Sequence, residues 1–548
     1  MESEPARALE TVAALGRALG SADPDLSAKA GNYLAASARE RGRTLARRGT
    51  WSPADVQALV ALQLVDPERF VADETFRRRV LALLPRALDP AVPAGLRDAL
   101  LQELNQIQGI GFAASEEIET AWGTAPRRSA GRRVGFTPGD QSFDPDVAGR
   151  LAASVYSLPS FFFDASTAGD FLAAVRAADP ERTLVVLTDQ PLLGRLEARA
   201  RELKVHLLDT HGRPYSPWPR DPFSLTRARS GGVRLLVRPN AQPGREEDLH
   251  LGPELVQTLP ESLDRAWGGV TWAEAPVPFH NGQVLLTRDA AWVTLHALEP
   301  RILALLGLDR VPVATFNTAA GIDRYVEAAR KAAADLGALY GRPVRFVHSL
   351  PAPGSGDAAL MRALGGAAGY DLDSIVTFVP KKDGRLAALV ADATLGRDLL
   401  ARATAADLAG FQRGYGLDPS GDRLAAAQQS QAMADLDAFL ELAARHLATE
   451  GFEVRRLPIL TLPVALLRDR AGLAHEEFLV TWNNVVVETR KGTVRAEGFS
   501  SLLPAGDRVA QEVFRDLGAR LDLFPPLVRS VILNGGYRCA SNHLRAGS

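Results

Sequence analysis

The chain has 548 residues, 46% hydrophobic and 23% charged, with a formal net charge of −2 at pH 7. That length allows a large core, and the balanced charge gives no electrostatic case for a nucleic acid or an anionic membrane as partner. No apolar run approaches the roughly 20 residues that span a bilayer, the start Met1-Glu2-Ser3-Glu4-Pro5 is followed by no apolar signal segment, and a single cysteine does not suit an oxidising compartment, so a cytoplasmic location is expected. The Ala, Arg and Gly bias suggests a GC-rich bacterial origin.

Residues 1–122 read as a helical bundle domain. Ala8, Leu9, Val12, Leu15 and Leu19 recur at helical spacing. Ser52 and Pro53 form a helix start, and Pro90 and Pro93 separate two later amphipathic stretches. No cluster of metal ligands or catalytic residue types stands out there. Residues 123–149 read as a Pro/Gly/Arg-rich linker: Pro126, Pro138 and Pro145 interrupt regular structure, and Arg127, Arg128, Arg132 and Arg133 suggest a solvated hinge.

From 150 to 548 short strands alternate with helices. Strand runs include Thr183–Leu187, Val205–Leu208, Val233–Val237, Gln283–Thr287, Val344–Val347, Ser374–Val379, Leu386–Val390 and Phe478–Trp482. Long helical patterns cover Ile322–Tyr340 and Leu424–Leu447. The segment is one large α/β domain or a repeat of smaller α/β units. It contains no G-x-x-x-x-G-K-[ST] and no G-x-G-x-x-G after a strand, which argues against ATP and NAD chemistry.

Four stretches carry chemistry. Pro217-Trp218-Pro219-Arg220-Asp221-Pro222 holds an acid in a Pro-stiffened loop. Phe279-His280-Asn281-Gly282 places a histidine at the start of a strand. Gly369-Tyr370-Asp371-Leu372-Asp373 sets two acids two apart, which an extended backbone puts on one face. Such carboxylates repel unless a cation joins them or one takes a proton. The stretch Asn534 to Arg545 contains Cys539, the only cysteine in the chain. Gly535 and Gly536 would let backbone approach a ligand, and Arg538, His543 and Arg545 would make the field positive and favour a thiolate. The alternative is a buried cysteine packing as a small hydrophobe. A planar guanidinium, rich in N–H donors, suits carboxylates beside a thiol.

In this order the motifs resemble the guanidino-group-modifying enzymes, or penteins, and look closest to the protein-arginine deiminases. Trp218-Pro219-Arg220-Asp221 resembles that family's W-x-x-D. Gly369 to Pro380 resembles the H-x-D stretch with its following strand, and Cys539-Ala540-Ser541-Asn542 with Arg545 resembles C-G-T-N-x-R. The resemblance covers about 150–548 and implies a fivefold pseudo-symmetric propeller of ββαβ units. It implies Cys539 as nucleophile, Asp221 and Asp373 as guanidinium ligands, and Trp218 and Asn542 as further substrate contacts. The family's H-x-D histidine falls on Asp371. Either a raised pKa lets Asp371 work as an acid, or an acid–histidine pair survives with its partners exchanged, His280 against Asp371.

The implied reaction is deimination of peptidyl-arginine to citrulline with release of ammonia. It needs no cofactor, and no metal site is expected. An arginine-containing protein or peptide, or a small guanidino compound, would be the partner. The other readings are a guanidino- or partner-binding module without turnover, an amidinotransferase or deiminase of a small guanidine, and a helical adaptor.

Overall fold

The computed structural model describes residues 132–546, apart from 161, 211–214, 241–244, 246, 309–315, 317, 366–369, 418–423, 425–430 and 469–476. The proposed helical bundle at 1–122 lies outside the described residues. Among them no helix is long and apolar enough to cross a membrane.

The described strands form five small sheets with one recurring topology. Two strands pair antiparallel, and the second runs parallel to a third that follows a helix, as helical crossovers require. Unit two pairs Phe223–Ala228 with Val233–Val237, which then runs parallel to Val270–Glu274. Unit three uses Val284–Leu286, Ala291–Val293 and Val344–Phe346. Unit four uses Val376–Pro380, Leu386–Asp392 and Glu453–Pro463, with Glu477–Thr481 added at its edge. Unit five uses Val486–Arg490, Thr493–Phe499 and Ala519–Phe524.

Unit one is built from both ends of the domain. The last strand, Ser541–Ala546, pairs antiparallel with Arg150–Ser157, which runs parallel to Thr183–Thr188 and through it to Val205–Asp209. The last described strand thus joins the first sheet as one of its edges, beside Arg150–Ser157.

The crossover helices start where the sequence supplies caps. Asp164 and Thr318 accept from the backbone N–H groups of Thr167 and Gly321, capping Ala165–Ala178 and Ala319–Tyr340. Gly341, in the left-handed region at φ 66°, ends the second of these. Strand runs such as Leu184 to Leu187 are fully buried because helices cover their sheet.

Two expectations need correction. Residues 132–149 are not a hinge. Arg132 pairs with Asp264 at 2.9 Å, Val134 N donates to Trp272 O at 2.9 Å, Gln141–Ser142 joins unit two, and Asp146 reaches Arg538 at 3.0 Å. Nor is the backbone extended from Asp371 to Asp373. Leu372–Ile375 is a single helical turn with Asp371 at its N-cap, and the strand begins at Val376.

Candidate active site

The short segment leading into the first strand of each unit faces a common cavity or the residues that wall it. Asp221 precedes Phe223, His280 precedes Val284, Asp371 and Asp373 precede Val376, Asn484 precedes Val486, and Cys539 precedes Ser541. Repetition of the unit brings together side chains more than 300 positions apart. The cavity, about 120 Å³, is lined by Trp218, Asp221, Arg245, His280, Asp371 and Cys539, with Tyr370, Leu479, Leu533, Asn534 and Gly535 completing it.

The Cys539 thiol lies 3.8 Å from both oxygens of Asp373. The Asn484 amide joins the two: its Nδ2 donates to Asp373 Oδ1 at 2.8 Å and to Cys539 Sγ at 3.1 Å. Its Oδ1 accepts from the backbone N–H of Arg538 at 2.7 Å and of Cys539 at 3.2 Å. Arg538 NH1 takes Asp373 Oδ2 at 2.6 Å. Across the cavity His280 stands between two acids, Nε2 3.7 Å from Asp221 and Nδ1 3.8 Å from Asp371. Gln283 Nε2 donates to Asp371 Oδ1 at 2.7 Å. Asp221 Oδ2 accepts from Arg245 at 2.6 Å, while its Oδ1 is buried without a hydrogen bond.

Local packing explains why these groups hold still. Asn281 Nδ2 donates to the carbonyls of Arg220 and Phe223, tying the Asp221 loop to the His280 loop. Arg245 lies over the Trp218 ring at 4.6 Å and also holds Asp248 and Ser216. A Cβ at Gly535 would overlap the Trp218 indole, and one at Gly536 would overlap the Asn484 side chain. These glycines therefore let backbone approach protein, not the ligand expected from the sequence. Behind the thiol, Tyr537 packs among Phe499, Phe524 and Phe171. Its hydroxyl donates to Glu497 at 2.8 Å, and Arg182 holds Glu497 through two 2.6 Å bonds. Aromatic burial of this kind contributes roughly 1.5–3 kcal/mol per ring.

The field at the thiol is opposite to the one read from the sequence. Burial, and then Asp373, Asp371 and Asp221 in turn, push the Cys539 thiol well above its ordinary value. Arg538 is already spent on Asp373 and Asp146. His543 sits between the hydroxyls of Ser154 and Ser541, and burial holds it neutral. Arg545 donates to the carbonyls of Asp146, Ala148 and Gly149. Burial raises Asp371 to about 7, helped by Asp221, and raises Asp373 to about 7 although Arg538 opposes it. Burial would raise Asp221 too, but His280 and Arg245 outweigh it and hold it below the usual range. Burial pulls His280 below its ordinary value, with Asp221 opposing.

Six of the seven residues singled out from the sequence, Cys539, Asp371, His280, Asp221, Asp373 and Trp218, stand at this site. Asn542 does not line the cavity. Its amide is spent on the carbonyls of Pro219 and Phe223, which makes it a brace for the Asp221 loop. Asn484 and Arg245 were missed. The only sequence signal for Asn484 is a polar pair, Asn483-Asn484, set between a strand and Val485–Val487. Arg245 carries no signal, because the strand pair Phe223–Ala228 and Val233–Val237 separates it from Asp221 in sequence. Ligand atoms of Asp221, His280 and Asp371, and of Asp371, Asp373 and Cys539, lie within 4.8 Å of one another, close enough to hold a metal ion. Arg245 and Arg538 already claim Asp221 and Asp373, however, and a flat cation shares such carboxylates more readily than a metal shell does.

No family model matches the chain, and no curated protein matches it either. Among solved structures, the agmatine deiminase of Enterococcus faecalis matches over 76% of this chain and 99% of its own, with 11% identity and a TM-score of 0.43. A structure proposed to be an agmatine deiminase matches over 76% of this chain and 100% of its own, with 10% identity and a TM-score of 0.43.

Proposed function

We propose that this chain is a cysteine hydrolase of a small guanidino compound, of the pentein kind, with its five units closed around the cavity. The observation that carries this reading is the convergence of Cys539 with Asp371, Asp221 and His280 on one cavity, with Asp373 buried 3.8 Å from the thiol. Burial, and after it the three carboxylates around it, keep the thiol protonated. A bound guanidinium reverses that, because its positive charge compensates the carboxylates and favours the thiolate.

Asp221, through its unpaired Oδ1, and Asp373 hold the guanidinium and fix its plane. The Cys539 thiol gives up its proton to the Asp371–His280 pair and its sulfur bonds to the central carbon as a C–N π bond opens, giving a tetrahedral adduct. A proton from Asp371, or from His280 charged in the complex, passes to one nitrogen, and the C–N bond breaks to release ammonia. Water then adds to the remaining thiouronium carbon, the C–S bond breaks, and the ureido product leaves with the thiol restored. No step requires a cofactor.

The sequence pointed to peptidyl-arginine on two grounds, the Cys539–Asn542 likeness and the N-terminal helices. Asn542 lies outside the cavity and the helices lie outside the described residues, so neither supports the larger substrate. The test is an ammonia and ureido-product assay on agmatine, free arginine, methylarginine and benzoyl-arginine amide. Turnover is expected on a small guanidine and is lost in Cys539→Ala. Full turnover by Cys539→Ala ends the assignment.

A further inference from the structure

Gln283 is 8% exposed, closes the short helical turn Asn281–Gln283, and does not itself line the cavity. Its amide cannot flip. Tyr370 O, 3.1 Å away, is a carbonyl and can only accept, so the amide nitrogen must lie on that side. The same Nε2 also donates to Asp371 Oδ1 at 2.7 Å. At the other end Oε1 accepts from the Thr294 hydroxyl at 3.4 Å, and that hydroxyl accepts in turn from the backbone N–H of Ala297 at 3.3 Å. Both donors of the Gln283 amide are therefore committed, one of them to a single oxygen of Asp371.

The neighbouring residue bears on the other oxygen. A Cβ at Gly282 would stand 2.6 Å from Asp371 Oδ2 and 3.0 Å from His280 Cε1, so a side chain there would push the acid away from the turn. His280 Nδ1 is buried without a hydrogen bond, 3.8 Å from Oδ1, the oxygen that Gln283 holds. The two oxygens of Asp371 are thus unlike. A carboxyl that receives an N–H on one oxygen keeps that oxygen as acceptor and carries its proton on the other.

We infer that Gln283 is a positioning residue for proton transfer at Asp371: by donating to Oδ1 it keeps that oxygen an acceptor beside His280 and leaves Oδ2 to carry the proton. The catalytic consequence rests on the reaction proposed above, whereas the placement of the proton does not. The charged and titratable groups that face Asp371 are Asp221, Asp373, His280 and Cys539, with the cations Arg245 and Arg538. All of them stay when Gln283 is replaced. Burial and then Asp221 raise Asp371 to about 7, and the Gln283 bond works against that rise by favouring the ionised carboxyl.

The experiment is carbon-13 NMR of the full chain labelled at the aspartate carboxyl carbons and titrated with pH, with Asp371→Asn identifying the signal. Gln283→Met, close in shape and without a donor, should raise the Asp371 midpoint by about one unit. With a small guanidine as substrate, the limb of the pH–rate profile that changes in Asp371→Ala should move up with it. Should Gln283→Met not fold, Gln283→Glu, which keeps the Thr294 contact and turns an acceptor toward Oδ1, must raise the midpoint by at least as much. An unshifted midpoint in the folded variant overturns the inference. So does a lowered kcat with an unmoved pH profile, which is what a merely structural glutamine gives. The midpoint is read without substrate, so a failure of the proposed reaction shows in the turnover assay and not in the titration.

Discussion

Asn484 holds Cys539 from both sides of the peptide: its Nδ2 donates to the sulfur at 3.1 Å, and its Oδ1 accepts the cysteine's own N–H at 3.2 Å. One amide thereby sets the position of the nucleophile and joins it to Asp373. Replacing it with Asp keeps an acceptor for the backbone but removes the donor and adds a fourth carboxylate. Asn484→Asp should slow alkylation of Cys539 at pH 8 by at least about tenfold, a shift of about one unit in the thiol. Asn484→Ala should also lose turnover, through a displaced loop. Alkylation rates across pH separate the two effects.

Asp371 makes the fold weaker as pH rises. Its carboxyl is raised to about 7, against about 3.9 in an unfolded chain. Between those values the folded state keeps a proton that the unfolded state has lost, so stability declines with increasing pH across that window. Asp371→Asn removes the effect and can still accept from Gln283. The side chain is 24% exposed, so the gain should be well short of the full shift, roughly 2 kcal/mol at pH 8. It should be nearly absent at pH 4. Urea unfolding at the two pH values measures it.

The exchanged acid–histidine pair makes its own prediction. His280 lies 3.8 Å from Asp371, and either could supply the proton that releases ammonia. If the two work as a pair, His280→Ala and Asp371→Ala should each lower kcat by about 10²-fold or more, and each should change the pH–rate profile. A His280→Ala enzyme with unaltered rate and profile leaves Asp371 as the sole acid and removes the pair.

The buried pair behind the nucleophile should be costly to break. Arg182 is 1% exposed and bonds Glu497 twice at 2.6 Å, and Glu497 also accepts from Tyr537 two residues before the cysteine. Glu497→Gln leaves the Arg182 charge with only longer contacts to Asp179 and Glu488. A loss of about 3 kcal/mol in unfolding free energy is expected, since it strands a buried charge. Denaturant titration measures it. A change below about 1 kcal/mol would mean that water or Glu488 takes over.

Reading the residues in order located most of the chemistry, because side-chain type is itself the signal. A lone cysteine, an acid between prolines and two acids flanking Leu372 stand out against a background of Ala, Leu and Val. Apolar runs placed the core strands for the same reason: burial on both faces demands unbroken hydrophobic residues. Strands that alternate or carry charge, such as Thr493–Phe499 with Arg495 and Glu497, escaped, since their polar residues find partners on neighbouring strands and in the adjoining unit, far away in sequence. The linker was misread for a related reason. Arg132, Arg133 and Asp146 look like solvent residues until Asp264, Glu274 and Arg538 come to meet them.

What only the tertiary structure decided is the sign of the field at Cys539. Local neighbours count charges along the chain, and Arg538, His543 and Arg545 made that count positive. Coulomb energy depends on distance in space, and the fold turns the two arginines onto Asp146 and carbonyls and leaves His543 neutral between serine hydroxyls, while it brings Asp221, Asp371 and Asp373 to the sulfur. The chain's letters were enough to nominate a thiol and its acids. Whether the thiol waits charged or neutral follows from the way five repeated units point their leading residues at one another.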